Sequence, residues 1–157
     1  MLSIPIPGGP QFALAHLVLD YNGTLAEDGL LLAGAAERIA VLAEQLTVHV
    51  VTADTFGSAA QQLDGLPVQL QVLPGSGQDV AKRALVQSLG AAQCVAVGNG
   101  RNDALMLAEA GLGIAVIQAE GAARAAIDSA DILCRSLCDA LDLLLRPKRL
   151  SATLRNA

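Results

Sequence analysis

Residues 16–25 read His16-Leu17-Val18-Leu19-Asp20-Tyr21-Asn22-Gly23-Thr24-Leu25. A short apolar run closes on a carboxylate, and a glycine that lets the chain bend follows at once. This is the pattern of a buried strand that delivers Asp20 to its carboxyl end. The pattern then repeats down the chain, with short β-branched runs alternating with longer Ala/Leu-rich runs of helical period. Strands are expected at 47–52, 68–73, 94–98, 113–117 and 131–134. Helices are expected at 34–45, 55–63, 78–89 (stopped by Gly90), 102–110 (stopped by Gly111), 121–129 and 137–145. Glu27-Asp28-Gly29 is a hairpin-turn signal within 26–32, and the tail from Arg146 is expected to be loose.

Alternation of strand and helix predicts an α/β fold, a parallel sheet with helices on both faces. The strands are continuous apolar runs, as expected when both faces of the sheet are covered. At 157 residues the chain is expected to form a single domain, 1–157, with its core over about 12–146. Apolar residues make up 53% of the chain and aromatic ones 2%, so the core must be built from Ala, Val, Leu and Ile. A stacking nucleic-acid reader needs aromatic faces and a basic stripe, and the net charge here is −5. No nucleic-acid partner is therefore expected. The charge leaves room for a small anionic substrate, because local dipoles hold a phosphate whatever the net charge.

Cys94, Cys134 and Cys138 have no metal-ligand spacing, and an odd count without secretory context predicts a reduced, cytoplasmic setting. Cys134 and Cys138 have a spacing compatible with one helix face. Met1–Pro10 carries no basic n-region and is not expected to be a signal peptide. No apolar run predicts a membrane span.

In open parallel sheets the ligand site lies beyond the carboxyl ends of the strands. The residues there are Asp20-Tyr21-Asn22-Gly23-Thr24-Leu25, Thr52-Ala53-Asp54 and Gly98-Asn99-Gly100-Arg101-Asn102-Asp103, with Lys82 on the helix before the 94–98 strand. A carboxylate in this place can attack phosphorus and form an acyl phosphate. Mg²⁺ takes one or two protein carboxylates and leaves its other positions to water and phosphate, so Asp20 and Asp103 are the candidate pair. Gly23 lets the loop bend so that backbone amides face a phosphate. The Thr52 hydroxyl and the Ala53 amide are two further donors, and Lys82 offers a positive charge against the transferring group.

These four stretches, in this order, resemble the signature of the haloacid dehalogenase (HAD) superfamily over roughly residues 17–116. The resemblance implies a three-layer Rossmann-like fold and a Mg²⁺-dependent phosphatase or phosphohydrolase with an aspartyl-phosphate intermediate on Asp20. It implies Asp20, Lys82 and Thr52 as catalytic residues. Metal contacts fall on Asp20, the Asn22 carbonyl, Asn99 and Asp103. Phosphate contacts fall on Gly23, Thr52, Ala53, Lys82 and Asn102. Within the superfamily the details are similar to the phosphorylation domain of P-type ATPases. Thr52-Ala53-Asp54 stands for the second motif, Lys82, Val86 and Leu89 for the third, and Gly98 to Asp103 for the fourth. With no membrane helices and no nucleotide-binding insertion, the chain looks like the soluble P-type ATPase-like hydrolases.

Two positions depart from the common pattern. Asn22 stands where most HAD phosphatases have an acid/base Asp, and it cannot give or take a proton at neutral pH. Turnover on alkyl phosphates is therefore expected to be slow. Asn99 stands where the family often has a metal-binding Asp, and brings an uncharged oxygen. The alternative function is a catalytically weak or inactive HAD-fold module that binds a partner or regulates. The segments 20–52 and 52–82 are each too short for a cap domain. The hairpin at Asp28-Gly29 is then the sole flap. Capless relatives, such as the octulosonate-type sugar-acid phosphatases, often close the site with a neighbouring subunit. The implied partners are a small phosphorylated substrate and a second copy of the chain.

Plainer readings stand beside these. Asp20 in isolation could be a turn or cap residue, and Asp103 could merely favour a helix N-terminus. Asn102 either donates to the phosphate or caps its helix. Arg83 rivals Lys82, Asp54 orients its loop, Tyr21 shapes the site or packs, and His16 and His49 pack within strands. Arg146, Lys148 and Arg149 form a solvated cluster.

Overall fold

The computed structural model describes residues 1–53 and 57–157. Among them, six parallel strands form one sheet. In chain order these are β3 (His16–Asp20), β6 (Thr47–Thr52), β7 (Val68–Val72), β8 (Cys94–Gly98), β9 (Leu112–Val116) and β10 (Ile132–Cys134). Their spatial order is β10-β9-β8-β3-β6-β7. The strand that carries Asp20 is central, between β6 and β8. In register, His16 to Asp20 face Thr47 to Val51 on one side, and His16 to Leu19 face Cys94 to Val97 on the other. Thr52 thus lies one step past the partner of Asp20, and Gly98 one step past that of Leu19. Strand order reverses at β3, so the loops after β3, β6 and β8 open into one crevice, which is where such sheets bind ligands.

The helices are α1 (Ala35–Leu42), α2 (Ser58–Gln62), α3 (Gln78–Leu89), α4 (Ala104–Glu109), α5 (Arg124–Ser129), α6 (Leu137–Leu145) and α7 (Pro147–Leu154). Both sheet faces are covered. One apolar layer joins Leu17, Leu19, Val48 and Val50 to Ile39 of α1, Leu141 of α6 and Leu150 of α7. The other joins Val18, Val51 and Ala96 to Val86 of α3, Met106 and Leu107 of α4 and Ala126 of α5. Alternate strand residues point to opposite faces, so an uninterrupted apolar strand serves both layers.

Most element boundaries lie within a residue or two of expectation. The helix expected from residue 55 is described as Ser58–Gln62, and Asp54, with its expected loop-orienting role, lies outside the described residues. The helix expected over 102–110 begins with a tight turn, Arg101–Asp103, before α4.

The two ends of the chain require correction. Met1–Pro10 was expected to lie outside the core and the tail from Arg146 to be loose. Instead β1 (Leu2–Pro5) pairs with β2 (Gln11–Leu14) as an antiparallel hairpin. Its alternation buries Leu2, Ile4, Phe12 and Leu14. The tail forms α7, with Pro147 at the first helical position, where its missing N–H costs nothing, and with Leu150 fully buried. Ser151 Oγ donates to Pro5 O at 3.0 Å and Asn156 N to Pro7 O at 2.9 Å, tying the two ends together. The basic residues of that cluster are solvated, as expected, but on a packed helix. Cys134 ends β10 while Cys138 lies on α6, so the two do not share a helix face; all three cysteines are free thiols.

The insertion between β3 and β6 is α1 and a small hairpin, β4 (Ala26–Glu27) and β5 (Leu30–Leu31). Its turn residues Asp28 and Gly29 have φ of 50° and 81°, the two positive values that a tight two-residue hairpin turn needs. The Tyr21 hydroxyl donates to Gly29 O at 2.8 Å and holds the flap to the first loop. No cap domain is evident among the described residues.

Candidate active site

The ends of two strands, with the loops that follow them, and one helix bring a buried ionic cluster together. Asp20 ends the central strand and is 7% exposed; Lys82 of α3 is 1% and Asp103 0% exposed. Lys82 Nζ donates to Asp20 Oδ1 at 2.8 Å and to Asp103 Oδ1 at 2.7 Å. The ammonium thus bridges the two carboxylates. Lys82 shares the inner stripe of α3 with Val86, and this stripe carries it to the strand ends. Arg83, its rival in the sequence, is partly exposed and makes no ion pair among the described residues.

Asp103 is held on its other side by its own loop. Asn99 N and Gly100 N donate to its Oδ2 at 3.0 and 2.8 Å. Gly98 permits this, because a Cβ there would meet the Asp103 carboxylate at 2.6 Å. Asp20 Oδ2 faces the Thr24 hydroxyl at 3.2 Å, and Asn99 Oδ1 faces the same hydroxyl at 3.2 Å. Gly23, with φ of 78°, is required between them, since a Cβ there would collide with the Asn99 amide.

The charge balance is uneven. Burial, and then the nearby Asp103, push the Asp20 carboxyl up to about 7, although Lys82 and the Thr24 hydroxyl pull against them. For Lys82, burial lowers the pKa, but Asp20 and Asp103 outweigh it and the net direction is upward. One ammonium therefore leaves the two acids short of positive charge.

This shortage bears on a metal. The Thr24 hydroxyl has one proton, yet two oxygens, Asp20 Oδ2 and Asn99 Oδ1, approach it equally closely. At least one lone pair must look elsewhere for a positive partner. An oxygen-seeking divalent cation fits this donor set, which also has the Asn22 carbonyl in the adjoining loop. Asp103 is less available, because three N–H donors already hold its two oxygens. No cluster of three or more His, Cys, Asp or Glu exists among the described residues, so any cation here would rest on two carboxylates and neutral oxygens.

The phosphate-facing residues sort less evenly. Among the described residues, no protein group accepts from the amides of Asn22 or Ala53. Thr52 is buried at the end of β6 beside Ala53. Gly23 serves through its conformation, not as a donor: its amide donates to Ala26 O at 2.9 Å. The Asn102 amide donates to Gln78 Oε1 at 2.8 Å and so ties the last loop to the head of α3. Tyr21 packs, as one of its two readings had it. His16 and His49 also pack, with Nδ1 of His16 3.2 Å from Nε2 of His49.

Sequence reasoning left out Thr24, Gln78 and Gln118. The Gln118 amide donates to Gly23 O and Thr24 O at 3.1 and 3.0 Å. Thr24 lay within the quoted motif and could have been found by asking which hydroxyl follows the glycine. Gln118 gives no local signal.

Fold and site together define a parallel α/β domain with two acids and one lysine at the carboxyl ends of its central strands. Residues 78–136, which include Lys82, Asn99 and Asp103, match the family model described as haloacid dehalogenase-like hydrolase. An uncharacterized protein of Methanocaldococcus jannaschii is 41% identical over 39 residues, 25% of this chain and 89% of that protein. Among solved structures, 3-deoxy-D-manno-octulosonate 8-phosphate phosphatase of Moraxella catarrhalis, in complex with magnesium, phosphate and the sugar acid, superposes with a TM-score of 0.71. The identity is 14%, over 90% of this chain and 94% of that one. The cobalt-bound Haemophilus influenzae phosphatase of the same name gives a TM-score of 0.70 at 16% identity, over 91% and 94% of the chains. At such identities the likeness is one of fold. The haloacid dehalogenase-like match is thus confined to residues 78–136, the rest of the chain shares the fold of these phosphatases, and no cap is evident among the described residues.

Proposed function

We propose that this chain hydrolyses or transfers the phosphoryl group of small phosphate esters through an aspartyl phosphate on Asp20, with Mg²⁺ as cofactor. The observation that carries the reading is the buried bridge from Lys82 Nζ to Asp20 at 2.8 Å and to Asp103 at 2.7 Å. A fully buried lysine held between two acids at a strand switch point has little structural use, since apolar residues of equal volume are often at least as stable there. Its use is to meet negative charge that develops nearby.

In the first step a carboxylate oxygen of Asp20 forms a bond to phosphorus, and the bond from phosphorus to the leaving oxygen breaks. Lys82, the Thr52 hydroxyl and the Asn22 and Ala53 amides offset charge on the equatorial oxygens. In the second step water attacks phosphorus and the bond to Asp20 breaks, which restores the carboxylate. Asp20 Oδ2, Asn99 Oδ1, the Asn22 carbonyl and, less directly, Asp103 would hold Mg²⁺. The ion would supply positive charge and orient a phosphate oxygen.

The leaving oxygen needs a proton, and Asn22 cannot give it. Loss of a positioned acid costs about 10²–10⁴-fold. Alkyl esters suffer most and acyl phosphates or aryl esters least. Asn22 cannot take the proton of the attacking water either, so hydrolysis slows as well and, with a good leaving group, the phosphorylated intermediate accumulates, in keeping with the P-type ATPase-like subgroup. Leu30, at the tip of the flap, is 62% exposed, and a second copy of the chain covering the open site belongs to the same proposal. Sedimentation at high concentration checks it, and a strict monomer counts against it.

The test of the central claim is trapping. With Mg²⁺ and acetyl phosphate, intact-mass and peptide analysis should find one phosphoryl group, on Asp20, and none on the Asp20→Asn variant. Beryllofluoride should block the labelling. Absence of labelling in the wild type, with beryllofluoride unbound, would leave the weak or inactive binding module as the better reading; the uncharged Asn99 is the observation that favours it.

A further inference from the structure

A turn outside the four signature stretches holds the first and last loops together. β9 ends at Val116, and the chain bends through Gln118 to Gly121, with Gly121 N donating to Gln118 O at 2.9 Å. The Gln118 side chain works at both ends. Nε2 donates to Gly23 O at 3.1 Å and Thr24 O at 3.0 Å, while Oε1 accepts from Leu137 N, at the start of α6, at 2.8 Å. At the other end of the turn, Gly121 O accepts from Asn99 Nδ2 at 3.0 Å.

The two carbonyls that Gln118 grips belong to successive peptides of the first loop. The amides of those peptides point the other way: Thr24 N donates to Tyr21 O at 3.3 Å, and Leu25 N to Tyr21 O at 2.9 Å. Each peptide plane is thus pinned at both edges, and the Thr24 side chain stands between them. The Gly121 carbonyl does the same for the last loop. It engages the Asn99 nitrogen and so turns the Asn99 oxygen toward Thr24 and Asp20. A carboxylate at 99 would set an oxygen against that carbonyl, so an uncharged side chain suits this position.

We infer that Gln118 is a positioning residue for the cation pocket: through Gly23 and Thr24 it sets where the Asp20, Asn22 and Asn99 oxygens converge. It touches no reacting atom. The inference rests on the metal-dependent reading proposed above and adds to it a residue that none of the signature motifs includes.

The test is binding of Mn²⁺ to the full-length protein, followed by the paramagnetic resonance signal of the free ion and expressed per folded molecule. Gln118→Glu keeps an acceptor for Leu137 N but presents oxygen to two carbonyl oxygens. Gln118→Met keeps the length and removes the donor without repulsion, and it also removes the acceptor for Leu137 N. Leu150→Ala, beneath the N-terminal hairpin, is a destabilised control. Loss of the two hydrogen bonds that hold the first loop predicts weakening of about tenfold for the Met variant, and more for the Glu variant, in which repulsion is added. The Leu150→Ala protein should bind as the wild type does; weakening in it equal to that of the Gln118 variants would mean that lost stability alone explains them, and would overturn the inference. If the Glu variant does not fold, the Met variant decides. Wild-type affinity in the folded Gln118 variants overturns the inference and leaves the proposed function standing. Failure of the wild type itself to bind Mn²⁺ overturns the metal-dependent reading and this inference with it.

Discussion

Replacing Asp20 with Asn will stabilise the metal-free protein, and the gain will grow with pH. Burial and Asp103 raise the Asp20 carboxyl from the ordinary 3.8 to about 7 in the fold. Between those values the folded chain holds a proton that the unfolded chain has lost. The sign follows from linkage: stability from this group is complete below the lower value and is lost as pH rises through the upper one. At 1.36 kcal/mol per pH unit the gap amounts to about 4 kcal/mol. That figure is net of the Lys82 attraction, which already acts to lower the value. Asn keeps the shape and an acceptor for Lys82 but has nothing to ionise. Urea unfolding in chelator should therefore show the variant gaining on the wild type by up to about 4 kcal/mol between about pH 4 and pH 8. Added Mg²⁺ should stabilise the wild type at pH 8 and leave the variant nearly unchanged, since a ligand stabilises only the form that binds it. A difference that stays flat with pH would refute the reasoning, because it would mean that the Asp20 charge is already fully compensated.

Three further outcomes are expected. Lys82→Met leaves two buried carboxylates without their shared cation, so it should cost about 3 kcal/mol or more at pH 8, less at pH 5, and abolish Asp20 phosphorylation; equal denaturant midpoints at the two pH values would contradict this. Asn22→Asp should raise turnover of an alkyl phosphomonoester by about tenfold or more and shorten the life of the aspartyl phosphate, and no gain in steady-state rate would remove the missing-acid account. Burial, and then His16, lower the pKa of His49, so the stability it contributes is present above about 6.5 and is lost as pH falls through its folded value. His49→Leu should therefore flatten the acid side of the stability curve, and an unchanged slope there would show that the buried imidazole is not responsible.

Much of the site was legible because its chemistry sits in local strings. Asp20, Thr52 and Asn99 each close or follow an apolar run, and a run that ends in a polar residue before a glycine or a turn is visible without a partner; Asp103 stands in the same Gly-rich string as Asn99. Lys82 was legible by motif only. Nothing in its neighbourhood marks it above Arg83; the inner face of α3 makes the choice. Gly23 reads as a phosphate contact because of its place in the motif, but Ala26 O takes its amide, and Gln78 takes one N–H of Asn102. The tail from Arg146 reads as loose because a proline and basic residues suggest a loop, and the first ten residues read as lying outside the core. The alternation of Leu2 with Ile4 and of Phe12 with Leu14 is too short to stand out until the two strands are paired.

By itself the sequence determined the order of elements between about residues 16 and 145, the parallel sheet and the strand-end stretches offered to a phosphoryl group, since period, branching and glycine stops act over a few residues. Only the tertiary structure decided which of them meet. Lys82 reaches Asp20 across 62 residues of chain, Thr24 meets Asn99 across 75, and Gln118 holds Gly23 across 95. The net worth of such contacts depends on burial and on the partner's orientation. Neither is written in the residues on either side, and the sheet supplies both.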